Sequence, residues 1–357
     1  MSMPAFGPLA PSNGAFRLGQ GGRNWITFGG MGSIRRAVID VGTNSVKLLV
    51  AEVDGGRVQP VWEGSRQTRL GEGFYGTNRL QAGPVAKTAE AVADFVARAR
   101  DYQAVSIRII ATSAAREAVN ARDLTAAIEG ACGLMVEIIS GDLEADLAFQ
   151  GAATDPRMGH GPVLLVDVGG GSTEFILGSG DRKHFRQSFP LGTVRSLEAM
   201  PHSDPPKAEE LALCRSRLRG FMRETVGREL NRALQQEVAS LAPGTAVVLV
   251  GSGGTASILG CMEAKLVAFD RSALEAVRLS PDRLRSQVDF LWGMDLAQRQ
   301  RIVGLPSNRA DVILSGAAIF EAVMGEFHFN ELRITSRGLR FAAVMDQPKA
   351  RFDSAAA

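Results

Sequence analysis

Apolar residues in this chain gather into short β-type runs, divided by glycine-rich turns and by stretches with helical spacing. Arg35–Val41 and Val46–Val53 are β-rich, and a third run, Val58–Trp62, follows them. A polar loop, Arg66 to Gly73, carries two arginines. After Pro84, the residues Val85, Ala89, Val92, Phe95 and Val96 recur at helical spacing. Val105–Ala111 reads as a buried strand feeding Thr112-Ser113, where an Ala-rich run begins a helix. Met135–Ser140 is a further strand. The helix beyond Gly141 carries Glu144, Leu147 and Ala148, and Asp142 suits its N-cap. A second unit opens at Val163, turns through glycines, and continues into a helical region from about Pro206 to Val238. The strand Ala246–Val250 ends in another turn, Gly251-Ser252-Gly253-Gly254-Thr255. Helices over Pro281–Leu291 and Leu296–Val303, a helix led in by Asn308–Ile313, and a strand at Leu332–Ser336 complete the pattern. Strands alternating with helices predict an α/β protein, with antiparallel hairpins opening otherwise mixed sheets.

Two of the turns are copies. Ile39-Asp40-Val41-Gly42-Thr43-Asn44-Ser45 precedes an apolar run, and so does Val166-Asp167-Val168-Gly169-Gly170-Gly171-Ser172. Each reads as a strand ending in Asp, a tight turn and a second strand. Glycine has no Cβ, so such a turn brings backbone amides close to an anion. One such turn is also what an ordinary hairpin looks like. The pair is more specific, because a duplicated unit of this size predicts two related domains with a cleft between them.

The length of 357 residues agrees, since one core rarely grows beyond about 250–300 residues. The expected division is 34–150 for the first domain, joined by a return of about 335–350, and 151–345 for the second. Residues 1–33 are rich in Gly, Pro and Ser without periodicity and read as a mobile extension, with Met31 as an alternative start. Residues 346–357 read as a disordered tail. A net charge of +2 gives no reason to expect DNA binding. Cys132, Cys214 and Cys261, and the scattered His160, His184, His202 and His328, lack zinc-site spacing and suit a cytoplasmic protein. No apolar run approaches the roughly 20 residues of a membrane span.

The segments IDVGTNS, ATSAAREAVN, EIISGDLEA, DVGGGSTE, VGSGGT, NRADVILSG and TSRGLR stand in the order found in one family. They resemble the exopolyphosphatase/guanosine pentaphosphate phosphohydrolase (Ppx/GppA) family, of the superfamily of actin, heat-shock chaperone ATPases and sugar kinases. The resemblance covers about residues 35–345. It implies two actin-like (ribonuclease H-like) domains with an active-site cleft between them, in a short form lacking the helical domain of longer members. It also makes a homodimer plausible. One departure is visible: where the family continues Gly-Leu-Arg-Glu-Gly, this chain has Phe341-Ala342 after Arg340.

Hydrolysis of a phosphoanhydride needs a held phosphate, neutralised charge and an oriented water. The resemblance assigns the catalytic base to Glu144, in the first turn of its helix. Taken alone, Glu144 reads equally as an acid favouring the helix dipole. Asp40, Asp167 and Glu174 are carboxylates at the two turns and suit Mg²⁺, which keeps waters and takes few protein ligands. An Asp capping its own turn explains either aspartate, but not Glu174 within a strand. Asn44, Ser45, Gly170, Gly171, Ser172 and Thr173 offer amides and hydroxyls to phosphate oxygens. Arg116, just after a helix start, is a bidentate phosphate clamp or a salt-bridge partner, and Arg309 is a second clamp. Arg66, Arg69, Arg195, Arg337 and Arg340 either extend a basic path for a longer polyanion or are ordinary surface arginines. The third glycine turn marks the adenosine side in superfamily kinases, or here merely connects a strand to a helix.

The leading expectation is therefore Mg²⁺-dependent release of the terminal phosphate of inorganic polyphosphate. Guanosine pentaphosphate is the other substrate the motifs serve. A kinase or ATPase of the same superfamily is a different class, to be recognised by faster turnover of ATP. A sensor that binds polyphosphate or alarmone without turnover is a third class, and Glu144, Asp167 and Glu174 together argue against it.

Overall fold

The computed structural model describes residues 33–159, 161–180 and 182–346; the expected N-terminal extension and the tail beyond Asp346 lie outside the described residues. The first part of the chain supplies β1 (Ile34–Val41), β2 (Ser45–Asp54), β3 (Arg57–Gln67), α1 (Ala82–Asp101), β4 (Ile107–Ala111), α2 (Ser113–Glu117), α3 (Ala121–Cys132), β5 (Val136–Ile138) and α4 (Gly141–Ala153). The strands pair in the order β3-β2-β1-β4-β5. The first two pairings are antiparallel and the next two parallel.

That arrangement is then repeated. β6 (Pro162–Val168), β7 (Thr173–Ser179) and β8 (Arg182–Phe189) form the second meander, followed by α5 (Thr193–Ala199). α6 (Ala208–Phe221) passes through one π turn, Met222–Val226, into α7 (Gly227–Ser240). After them come β9 (Val248–Ser252), α8 (Gly253–Glu263), α9 (Arg271–Ala276), β10 (Arg278–Leu279), α10 (Pro281–Trp292), α11 (Leu296–Arg299), α12 (Ile313–Glu326), β11 (Leu332–Ile334) and α13 (Leu339–Ala343). The second sheet runs β10-β11-β9-β6-β7-β8. Read from its β8 edge it has the order of the first sheet, with β10 added. The duplicated turns are thus the visible part of a duplicated lobe.

Central strands are buried on both faces because helices cover them, which is why β6 reads as a continuous apolar run, Val163-Leu164-Leu165-Val166. α12 is apolar all round and almost every residue from Ile313 to Met324 is buried, as a helix inside the core of the second lobe must be. Two expectations need correction. Ser140, not Asp142, caps α4: its Oγ accepts from the Leu143 amide at 3.2 Å, because the helix begins at Gly141 and leaves Asp142 inside its first turn. The helix expected over Leu296–Val303 stops at Arg299. The buried guanidinium of Arg299 donates to the Met294 and Ala310 carbonyls, fixing a turn there.

Two segments join the lobes. α4 leads out of the first sheet, and the residues after β11 lead back to α13. They cross at a pair of glycines, where a Cβ on Gly151 would run into the Gly338 carbonyl. α13 returns to the first lobe: Arg36 Nη1 donates to the Met345 carbonyl at 2.9 Å, and Arg340 Nη1 to that of Leu48 at 2.9 Å. Leu339, Phe341 and Val344 there share one apolar cluster with Val38, Leu49, Ile110 and Leu147.

Candidate active site

The two turns have the same internal closure. The Gly42 amide donates to the Ser45 carbonyl at 3.1 Å, and that of Gly169 to the Ser172 carbonyl at 3.0 Å. They face each other so closely that a Cβ on Gly170 would lie 3.0 Å from the Thr43 Cβ and 3.2 Å from the Asn44 amide nitrogen. A side chain there would require the facing turn to give by a few tenths of an ångström. A third turn closes the cleft where β9 meets α8. Gly253 there has φ +81°, and a side chain at that position would strike the Asp167 carboxylate.

Both aspartates end the first strand of a meander, so the cleft lies at the carboxyl ends of the parallel strands, the usual place for ligands in open α/β sheets. Register then sets the next residues. Asp40 pairs across the hairpin with Lys47, and Asp167 with Glu174. The two copies thus place opposite charges at equivalent positions. Lys47 Nζ stands 4.0 Å from Asp40 Oδ2. Glu174 accepts from Ser188 Oγ at 2.7 Å. From the first turn of α4, Glu144 projects into the same space, and Arg116 Nη1 donates to it at 2.8 Å and to the Ile139 carbonyl at 3.1 Å. Arg309 reaches across to Ser45 Oγ at 2.7 Å.

Asp40, Asn44, Ser45, Glu144, Asp167, Gly170, Gly171, Ser172, Glu174 and Arg309 therefore line one cleft. Arg116 stands behind Glu144 as its ion-pair partner, the salt-bridge alternative of the sequence reading. Thr173 does not join them. Strand alternation turns it away, and its fully buried hydroxyl donates to the Leu191 carbonyl at 2.5 Å. Lys47, Thr43 and Ser113 also line the cleft without having been expected there. For Lys47 a signal existed, since it occupies in the first hairpin the place of Glu174 in the second. Of the outlying arginines, Arg66 pairs with Asp94, Arg69 with Asp311, and Arg195 with Glu117.

Four carboxylates thus meet in one cleft, and the acidities of Glu144, Asp167 and Glu174 show the strain. Burial pushes Glu144 up to about 7; Arg116 opposes this, while Asp40 and Asp167 add to it. Glu174 is raised well above the carboxylate range by burial and by Glu144 and Asp167. Asp167 is raised by burial, with Lys47 opposing. Burial also lowers Lys47, and it lowers Arg309 to about 10. Such a surplus of buried acid favours a bound cation. Asp40, Asp167 and Glu174 do not form a ready-made cage, however: among the described residues, no three acid, histidine or cysteine side chains cluster closely enough to hold a metal. The physical reason is that they come from three strands of two sheets. A hard cation that takes few protein ligands and fills its shell with water and phosphate oxygens fits this set.

A profile of the Ppx/GppA phosphatase family matches residues 49–348. Exopolyphosphatase 2 of Mycobacterium tuberculosis is 35% identical over 310 residues, covering 83% of this chain and 92% of that protein. Among solved structures, a Ppx/GppA family member from Aquifex aeolicus is 27% identical, with a TM-score of 0.68 over 88% of this chain and 97% of its own. An exopolyphosphatase from Cytophaga hutchinsonii, 22% identical, shares the fold with a TM-score of 0.74, covering 86% of this chain and 96% of its own.

Proposed function

We propose that this chain, which belongs to the Ppx/GppA phosphatase family of phosphoanhydride hydrolases, is an exopolyphosphatase that releases orthophosphate from the end of inorganic polyphosphate. The observation that carries this reading is the position of Glu144. It is a carboxylate with a pKa near 7, oriented by Arg116, facing a cleft walled by two amide-rich turns.

The terminal phosphate lies between Asn44-Ser45 and Gly170-Gly171-Ser172, whose amides and hydroxyls take its oxygens, and Arg309 and Lys47 offset its charge. Glu144 accepts a proton from water. The water oxygen forms a bond to the terminal phosphorus, the bridging P–O bond breaks, and the shortened chain departs as the anion. A divalent cation, Mg²⁺ by its hardness, would be held by carboxylates among Asp40, Asp167 and Glu174 and would supply further charge neutralisation. The third turn supports a second substrate, guanosine pentaphosphate. Gly254 and Thr255 line the cleft, and a Cβ added to Gly254 would meet open space.

Phosphate release from short polyphosphate with Mg²⁺, for wild type and Glu144→Gln side by side, tests the reading. A general base contributes about 10²–10⁴-fold, so the variant should lose activity by that order while still binding substrate. No release by the wild type from polyphosphate, with release from guanosine pentaphosphate or ATP, would replace the substrate. Full activity in the variant would remove Glu144 from the mechanism.

A further inference from the structure

Neither Arg195 nor Glu198 lines the cleft, yet each side chain touches parts of the molecule that hold a glycine turn. Both lie on α5, three residues apart and so on one face of the helix. α5 grows directly out of the second turn. The Thr193 amide donates to Gly169 O at 2.9 Å, those of Val194 and Arg195 to Gly170 O at 2.8 and 3.2 Å, and Arg195 Nε to Gly171 O at 2.7 Å. Anything that holds α5 therefore holds that turn.

From this anchored helix, two grips cross to the first lobe. Arg195 Nη2 bonds both carboxylate oxygens of Glu117 at 2.8 and 2.6 Å, and its guanidinium lies 4.2 Å from the Tyr75 ring centroid. Glu198 accepts the Gly73 amide at 2.7 Å and the Tyr75 amide at 3.2 Å. Gly73 has φ +67°, the left-handed backbone that lets two nearby amides converge on one carboxylate. The same loop is strapped onto the first turn. The Thr68 and Arg69 amides donate to Asn44 O at 3.2 and 3.0 Å, and that of Gly71 to Thr43 O at 2.8 Å. An unbroken path of hydrogen bonds thus runs from the first turn through loop 68–75 and α5 to the second turn. It bypasses the cleft.

We propose that Arg195 and Glu198 are positioning residues that set the separation of the two phosphate-holding turns and keep the lobes closed over a bound phosphate. The proposal rests on the phosphate-binding reading given above. The turns are closely apposed, because a Cβ on Gly170 would lie 3.0 Å from the Thr43 Cβ and 3.2 Å from the Asn44 amide nitrogen of the first turn. Opening the cleft requires the Glu117 and Glu198 contacts to break, and closing it restores them. Loss of either grip lowers the closed population, and apparent affinity falls in proportion to that fraction.

The test pairs kinetics with amide hydrogen exchange on the full chain. Glu198→Ala should raise KM for short polyphosphate by about tenfold, with kcat within about twofold, and should quicken exchange at Gly73 and Tyr75. Glu198→Gln retains one carbonyl acceptor and should fall between the two. Glu117→Gln should move KM in the same direction without touching the Gly73 and Tyr75 bonds. Faster exchange in Glu198→Ala with KM unchanged would overturn the proposal, as would unchanged exchange. If wild type does not cleave polyphosphate, the substrate reading fails separately. Binding of methylene diphosphonate to the same variants then decides: tenfold weaker binding supports the grips, and equal binding overturns them.

Discussion

At the scale of single residues, Glu144 concentrates the chemistry. Burial raises its carboxyl from an ordinary 4.5 to about 7, against the pull of Arg116. A base acts only when ionised, so kcat/KM should climb as pH rises through about 7. Arg116→Ala removes the charge that opposes the shift, so the rising limb should move to higher pH; a limb that stays in place would show that Arg116 does not tune the base. The sign for stability is opposite. The fold prefers protonated Glu144, so the metal-free protein should lose stability as pH rises from 4.5 to about 7, measurable by thermal unfolding. Much of this site was legible because the turns are duplicated: superposing them finds Asp40 and Asp167 together. Thr173 misled because sequence adjacency to Ser172 hides the alternation of a strand. Lys47 was missed for the reverse reason. A lone lysine in an apolar strand looks like an exposed position until the register sets it opposite Asp40.

At the scale of elements, the helix that carries Glu144 also carries the tightest backbone contact between the lobe connections. Glycine inside a helix ordinarily costs about 0.5–1 kcal/mol relative to alanine. At Gly151 that preference should invert, because the Gly338 carbonyl occupies the place of the Cβ and has no side-chain freedom to yield. Overpacking of this kind costs about 1–3 kcal/mol, so Gly151→Ala should lower the urea midpoint, whereas Gly130→Ala, with open space at its Cβ, should not. Elements with a strong period were readable, α1 and the central strands above all. β8 was not: in Arg182–Phe189 only Phe185 and Phe189 are apolar, as an edge strand allows. α3 was passed over because only Leu124 and Ile128 are buried in it. Short α13 gave no periodic signal, and its place depends on contacts with residues three hundred positions earlier.

At the scale of the whole molecule, the described residues enter the first sheet, build the second, and return to finish the first. Removing everything after Arg337 should therefore uncover Val38, Leu49, Ile110 and Leu147, which share their cluster with Leu339, Phe341 and Val344. Limited proteolysis of that truncation should cut β1–β5 readily and spare β6–β9. Equal resistance in both halves would show that α13 is dispensable to the first lobe. The same return has a consequence for synthesis on the ribosome. Asp40 emerges before the second lobe, yet the wall that holds it is completed only when α13 is released. Until α13 emerges, a nascent chain thus carries the second turn in a finished lobe and the first in an unfinished one, so phosphate-binding competence arrives in one step with that helix rather than growing along with the chain.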